Sequence, residues 1–328
     1  MPLGAQWPTL DPFLFCAYHL DAYPEADGEL GPAASLTGRQ IGQDFAGVDG
    51  WNMYHGSSVP GFPQHPHRGF ETVTYVRRGW CDHSDSLGAQ ARFGEGDVQW
   101  ITAGGGIVHS EMFPLFDTTG PNTLELFQIW LNLPAANKMV DPYFSMLWNH
   151  DVPRHHEDGV DVTVIAGQIG SVAPLAPPPD SWASAADSDV AIWHVRLAAD
   201  ASWSPPVTGP ESSRVLYFFD GSGISVDGQA IQARTGVVVD PTASFEIAAE
   251  GGTEFLVLQG RPIGEPVAQY GPFVLNDEAG IRQAMVDYQR TGFGGWPWPS
   301  NDPVHGGDPR RFAKYGDGRT EMVDSTPG

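Results

Sequence analysis

Between Gly61 and Glu111 the chain carries two short pairs of polar side chains, His65-Pro-His67 and His109-Ser-Glu111, with strand-like sequence between them. Residues 68–77, RGFETVTYVR, alternate and are rich in β-branched and aromatic side chains, the pattern of a β-strand. In a strand, residues i and i+2 point to the same face. His65 and His67 therefore project together, and so do His109 and Glu111. If the two segments are neighbours in one sheet, three imidazoles and a carboxylate meet at one point. That donor set suits a divalent transition metal.

The rest of the chain repeats the β theme. Apolar or alternating runs occur at 11–20, 89–94, 98–102, 123–133, 160–169, 191–197, 214–219, 224–226, 236–239, 244–247 and 254–259. Many short strands with regular turns indicate a sandwich or barrel. The 40 glycines and 29 prolines among 328 residues fit such a chain and do not fit a helical bundle. Residues 36–45 read as a short helix or strand inside an otherwise loop-like stretch, 22–50, and residues 82–88 read as a turn or loop. In 123–133 the alternation puts Gln128 on the less apolar face, toward a polar cavity. Only 277–290 shows helical spacing, with Ile281, Ala284, Met285 and Tyr288 at i, i+3, i+4 and i+7. A weak repeat relates Thr74–Gly79 plus Gly94–Val98 to Leu216–Gly221 plus Thr235–Val239, which two similar barrels would explain. The reading is an all-β chain: an N-terminal domain with the metal site at 1–145, a C-terminal domain without metal at 146–292, and an irregular Gly/Pro/Trp-rich tail at 293–328. Between His156 and His305 the only histidine is His194, so the second barrel has no comparable ligand set.

Acidic residues number 40 against 17 basic, a net charge of −23. A surface this acidic disfavours contact with nucleic acid or anionic membranes. Cys16 and Cys81 form no CxxC pair and no disulfide framework. No signal peptide and no long apolar span are visible, so the cytoplasm is the expected compartment.

A single histidine in a β-protein is usually a surface or packing residue. The two pairs in β context outweigh that reading; the other histidines do not. His55 and His83 read as exposed loop residues, and His150, His155 and His156 as a solvated linker. Glu71 shares the parity of His65 and His67 and competes with Glu111 for the fourth ligand place. Gly104-Gly-Gly106 does not lead from a strand into a helix, so it is not a phosphate loop. Ser110 has the wrong strand parity for a nucleophile beside His109, and no GxSxG motif is present.

The segments FPQHPHRGFETVTYV, WITAGGGIVHSEM, FQIWLNLP and KMVDPYF, with VTVIAGQIG and RPIGEPVAQYGPFVLNDE in the second half, resemble the pirin family of the cupin superfamily, over about residues 11–290. The resemblance implies a bicupin, two β-barrels face to face with metal only in the first. It implies His65, His67, His109 and Glu111 as ligands, Fe(II) as the usual metal with another divalent ion as the alternative, and Glu71 as an outer residue orienting a ligand histidine. It also implies one of two functions. The first is a dioxygenase of quercetin 2,3-dioxygenase type, opening a small flavonol-like aromatic with O2, with Glu111 as the base. The second is a non-catalytic, redox-sensitive regulator acting through a protein partner such as a transcription factor or a metabolic enzyme. The segment 22–50 and the tail after Gly292 depart from the family pattern.

Overall fold

The computed structural model describes residues 1–323. Its regular elements are almost all strands, with one α-helix, Glu278–Thr291, among the described residues. Two compact units are present. One comprises Tyr18–Gln128, Ala135–Met146 and Pro266 onward; the other comprises Met1–Ala17, Ile129–Pro134 and Leu147–Glu265.

The unit containing the two histidine pairs is made of two sheets. In one, Phe13–Tyr23, Asn122–Asn132, Phe70–Arg78, Asp97–Thr102 and Tyr143–Leu147 lie side by side in that order. In the other the order is Thr320–Val323, Arg311–Lys314, Gln90–Gly94, Trp80–Asp85, Ile107–Met112 and Gly61–His67. The histidine pairs thus lie on adjacent antiparallel strands, with His65 opposite His109 in the register.

Three local expectations are corrected. Residues 36–45 form neither helix nor strand. Their loop is held by Arg39, which bonds Asp44, Trp51 O and Val48 O and stacks over the Trp51 ring at 3.3 Å; one guanidinium here does the ordering that a backbone ladder does elsewhere. Residues 82–88 are not simply a turn, because Trp80–Asp85 is a buried strand. The stretch read as an irregular tail contributes a hairpin, Arg311–Lys314 with Thr320–Val323, that extends the site sheet at Gln90–Gly94. Its hold is polar and buried: Arg311 pairs with Asp97 at 2.8 Å, and ahead of the hairpin His305 N donates at 2.7 Å to Asp82, with which Arg92 pairs at 2.6 Å.

The helix forms where the 3.6-residue period placed it. Asp277 caps it by accepting from Gly280 N at 2.7 Å, and Gly292 closes it at φ 56. Ile281 and Ala284 face a small core with Val108, Phe273, Leu275 and Phe293, the burial of a side chain such as Ile281 contributing about 1.5–3 kcal/mol. Val108 immediately precedes His109, so this packing steadies the strand that carries a site histidine. Arg68 adds a second tie, donating to Gly105 O at 2.7 Å and to Asp287 at 2.9 Å across the Phe293 ring.

The second unit repeats the plan. Ser213–Gly221 pairs with Thr235–Val239 as Phe70–Arg78 pairs with Asp97–Thr102, which is the structural content of the weak sequence repeat. Its interior is filled by Val162, Val164, Trp193, Val195, Leu216, Phe218, Phe255 and Val257. An apolar filling of this kind offers no ligands. Among the described residues no second group of three clustered donors occurs.

Candidate metal centre

His65, His67 and His109 converge, each offering a donor atom within 4.8 Å of the others. Ring centroids lie 4.4 Å apart for His65–His109 and 4.8 Å for both His65–His67 and His67–His109. The chain achieves this through the strand register and through Gly69, which turns the backbone from Gly61–His67 into Phe70–Arg78 at φ 84. A Cβ at Gly69 would stand 2.0 Å from Val274 O, so no other residue fits that turn.

Burial holds all three imidazoles in their neutral form: His65 is pushed down to about 4, and His67 and His109 well below the usual range. Neutral imidazole is the form that binds a metal. Both ring nitrogens of His109 are buried with no hydrogen-bond partner among the described residues. A buried polar atom left without a partner is costly, and a divalent ion satisfies it. The donor set therefore fits a metal.

Glu111 follows His109 by two residues on the same strand, Ile107–Met112, but is not among the three clustered donors; it is almost fully buried at 3% exposure. Thr74 Oγ1 donates to its Oε1 at 2.9 Å and Gln128 Nε2 to its Oε2 at 2.9 Å. Burial raises its carboxyl above the usual value, while these two bonds and the nearby His83 pull it back. Gln128 thus faces a polar interior, as the alternation on its strand suggested.

Glu71 is elsewhere. It pairs across from Thr102 on the face that carries Val73 and Trp100, opposite to Thr74, and accepts from Trp100 Nε1 at 3.2 Å and Thr102 Oγ1 at 2.8 Å. The parity shared with His65 and His67 does not carry over, because the turn at Gly69 separates two different strands.

His83 is a further correction. It is fully buried, not exposed. Its Nε2 lies 3.0 Å from Asp85, its ring stacks on Phe144 at 4.9 Å, and its centroid is 5.6 Å from that of His109. The signal was present, since His83-Ser-Asp85 has the same i, i+2 spacing as the two site pairs. Turn-forming neighbours hid it. His55 is exposed, as are His150 and His156 at 57% and 62% of their side chains. Thr74, which no sequence motif marked, belongs to the site through Glu111.

A donor cluster on the inner face of one of two strand-built units, with an apolar counterpart in the other, defines a bicupin with one metal centre. The family model described as Pirin matches residues 32–131, and that described as Pirin C-terminal cupin domain matches residues 192–294. A pirin-like protein of Solanum lycopersicum is 35% identical, over 83% of this chain and 90% of its own length. A Pseudomonas aeruginosa protein provisionally named a quercetin 2,3-dioxygenase is 38% identical, over 70% of this chain and 79% of its own. The crystal structure of a quercetin 2,3-dioxygenase from Acinetobacter baumannii is similar at TM-score 0.69 and 29% identity, covering 87% of each chain. The chain belongs to the pirin family of cupins. No helix among the described residues is long and apolar enough to cross a membrane.

Proposed function

We propose that this chain is a metal-dependent dioxygenase of quercetin 2,3-dioxygenase type, with Fe(II) held by His65, His67, His109 and Glu111 and a small flavonol as substrate. The observation that carries the reading is the cluster of three neutral imidazoles, with Glu111 two residues from His109 on the same strand. The likeness to proteins bearing the quercetin 2,3-dioxygenase name supports the same choice. The iron, when bound, supplies the electron chemistry that joins an aromatic enolate to O2.

The protein's own contribution is positional. The adjacent strands set His65 opposite His109 in register, so the backbone itself brings the imidazoles together. Glu111, raised by burial, accepts the flavonol hydroxyl proton, and Thr74 and Gln128 hold its two oxygens in place. Arg68 is not a base, since its guanidinium stays protonated and is engaged by Asp287 and Gly105. The overall reaction inserts both oxygen atoms of O2 and expels one ring carbon as CO.

The test is anaerobic loading with Fe(II), followed by O2 uptake and CO release with quercetin. Stoichiometric uptake and CO are expected. Metal-replete protein without turnover would leave the second function, a regulator acting through a protein partner in the cytoplasm.

A further inference from the structure

A hydrogen-bonded chain stands on the same face of the barrel as the metal centre but apart from it. Asp21, fully buried, accepts from Tyr54 Oη at 2.6 Å. Tyr54 Oη lies 2.7 Å from Nδ1 of His19. Asn52 secures Asp21 from the other side, donating through its backbone N at 2.9 Å and its Nδ2 at 3.0 Å. Asp21 is raised by burial to about 6, and at neutral pH it is a carboxylate that accepts the Tyr54 proton. With that proton committed, the phenol oxygen is the acceptor for His19, so Nδ1 carries the hydrogen. The remaining nitrogen, Nε2, is left as an acceptor with no partner among the described residues, on a side chain that is only half-buried. Burial keeps the ring neutral, lowering it to about 4.

The facing of His19 follows from its neighbour. Tyr18 stacks on Phe127, which stacks on Tyr75. Phe127 and Tyr75 are adjacent in sequence to Gln128 and Thr74 and so point to the opposite sheet face. His19 therefore shares the face of Gln128 and Thr74, the two residues that hold Glu111. Its ring stands edge-on to Phe62 at 6.0 Å, and Phe62 stands edge-on to His65 at 6.3 Å. Phe62 is half-buried and stacks on Tyr54 at 5.0 Å. Phe45, on the loop ahead of Gly61–His67, is 54% exposed and lies 6.4 Å from Phe62. The result is an aromatic wall leading from the metal ligands to an oriented imidazole acceptor.

We propose that His19 is a recognition residue for a phenolic hydroxyl on a planar aromatic substrate, at the end remote from the metal ligands, with Phe62 and Phe45 flanking the rings. The proposal rests on the flavonol reading above and adds to it the residue that selects polyhydroxylated rings. A site that supplies a fixed acceptor discriminates against an analogue lacking the hydroxyl, because the acceptor is then left unmatched. Tyr54 and Asp21 act through His19 as positioning residues.

The test compares quercetin with 3-hydroxyflavone, which keeps the keto-enol edge and lacks the outer hydroxyls. Binding to Fe(II)-loaded protein is measured by anaerobic titration calorimetry. Wild type is expected to prefer quercetin by about tenfold, the worth of one good hydrogen bond. His19→Phe should remove that preference by weakening quercetin alone, and His19→Gln should restore part of it. Tyr54→Phe leaves His19 in place but frees its tautomer, so the preference should shrink; this variant also stands in if His19→Phe fails to fold. Equal loss for both ligands, or no change in either, overturns the proposal, as does a wild type that binds both equally. If neither compound binds the metal-loaded protein, the flavonol reading falls and takes this one with it.

Discussion

Thr74→Val probes what holds Glu111, since the Thr74 hydroxyl lies between Glu111 Oε1 at 2.9 Å and Gln128 Oε1 at 2.5 Å. The two side chains have nearly the same shape, so packing within the barrel changes little. The substitution removes the hydroxyl that donates to Glu111 Oε1 at 2.9 Å, inside a site where Thr74 is 2% exposed and Glu111 3%. A hydrogen bond to a charged group contributes about 1.5–3 kcal/mol. At about 1.4 kcal/mol per tenfold, this translates into a loss of roughly 10- to 100-fold in affinity for a metal that Glu111 helps to bind. The assay is competition for Fe(II) or Zn(II) against a chromophoric chelator at fixed pH. Gln128→Leu, which removes the donor to Oε2 at 2.9 Å, should fall in the same range. Unchanged metal affinity in both variants would refute the claim that Glu111 is part of the metal centre.

Other outcomes follow from the same geometry. Glu111→Gln should weaken metal binding far more than Glu71→Gln, as read by metal content after dialysis, because Glu71 lies on the opposite face of its strand; the reverse order would reassign the ligand. Arg68 holds the Asp287 carboxyl below its usual value, so this pair adds stability above the unfolded pKa of about 4 and loses it as pH falls through the lower folded value. Melting temperatures of wild type and Asp287→Asn should accordingly converge below about pH 4 and separate at pH 7, and a constant difference across that range would refute the pairing. Asp277→Ala removes the helix cap and should cost about 1 kcal/mol in denaturant unfolding.

The two histidine pairs were readable in the sequence because strand parity is a local property. His65, His67, His109 and Glu111 each keep the facing that an i, i+2 rule assigns, and Gln128 turns inward as its alternation suggests. Glu71 failed the same rule because parity is lost across the turn at Gly69, and nothing local announces that His67 and Phe70 belong to different strands. His83 was hidden among Asp, Ser and Gly residues that usually make turns; here cross-strand pairing to Gln90–Gly94 and Ile107–Met112 overrides that preference. The tail is held by an ion pair from Arg311 to Asp97 and by the backbone N–H of His305 donating to Asp82, both more than two hundred residues away in sequence, which no window of sequence displays. The resemblance to pirins supplied the choice of Glu111 over Glu71, which spacing had left open. The weak internal repeat was legible in the sequence, and it corresponds to the paired strands Phe70–Arg78 with Asp97–Thr102 and Ser213–Gly221 with Thr235–Val239.

The most direct test of the metal centre is anomalous X-ray scattering at the iron edge from crystals grown with Fe(II) under anaerobic conditions. A single strong peak is expected within bonding distance of His65, His67, His109 and Glu111. A peak bonded to Glu71, or iron bound only at His150, His155 and His156, would contradict it.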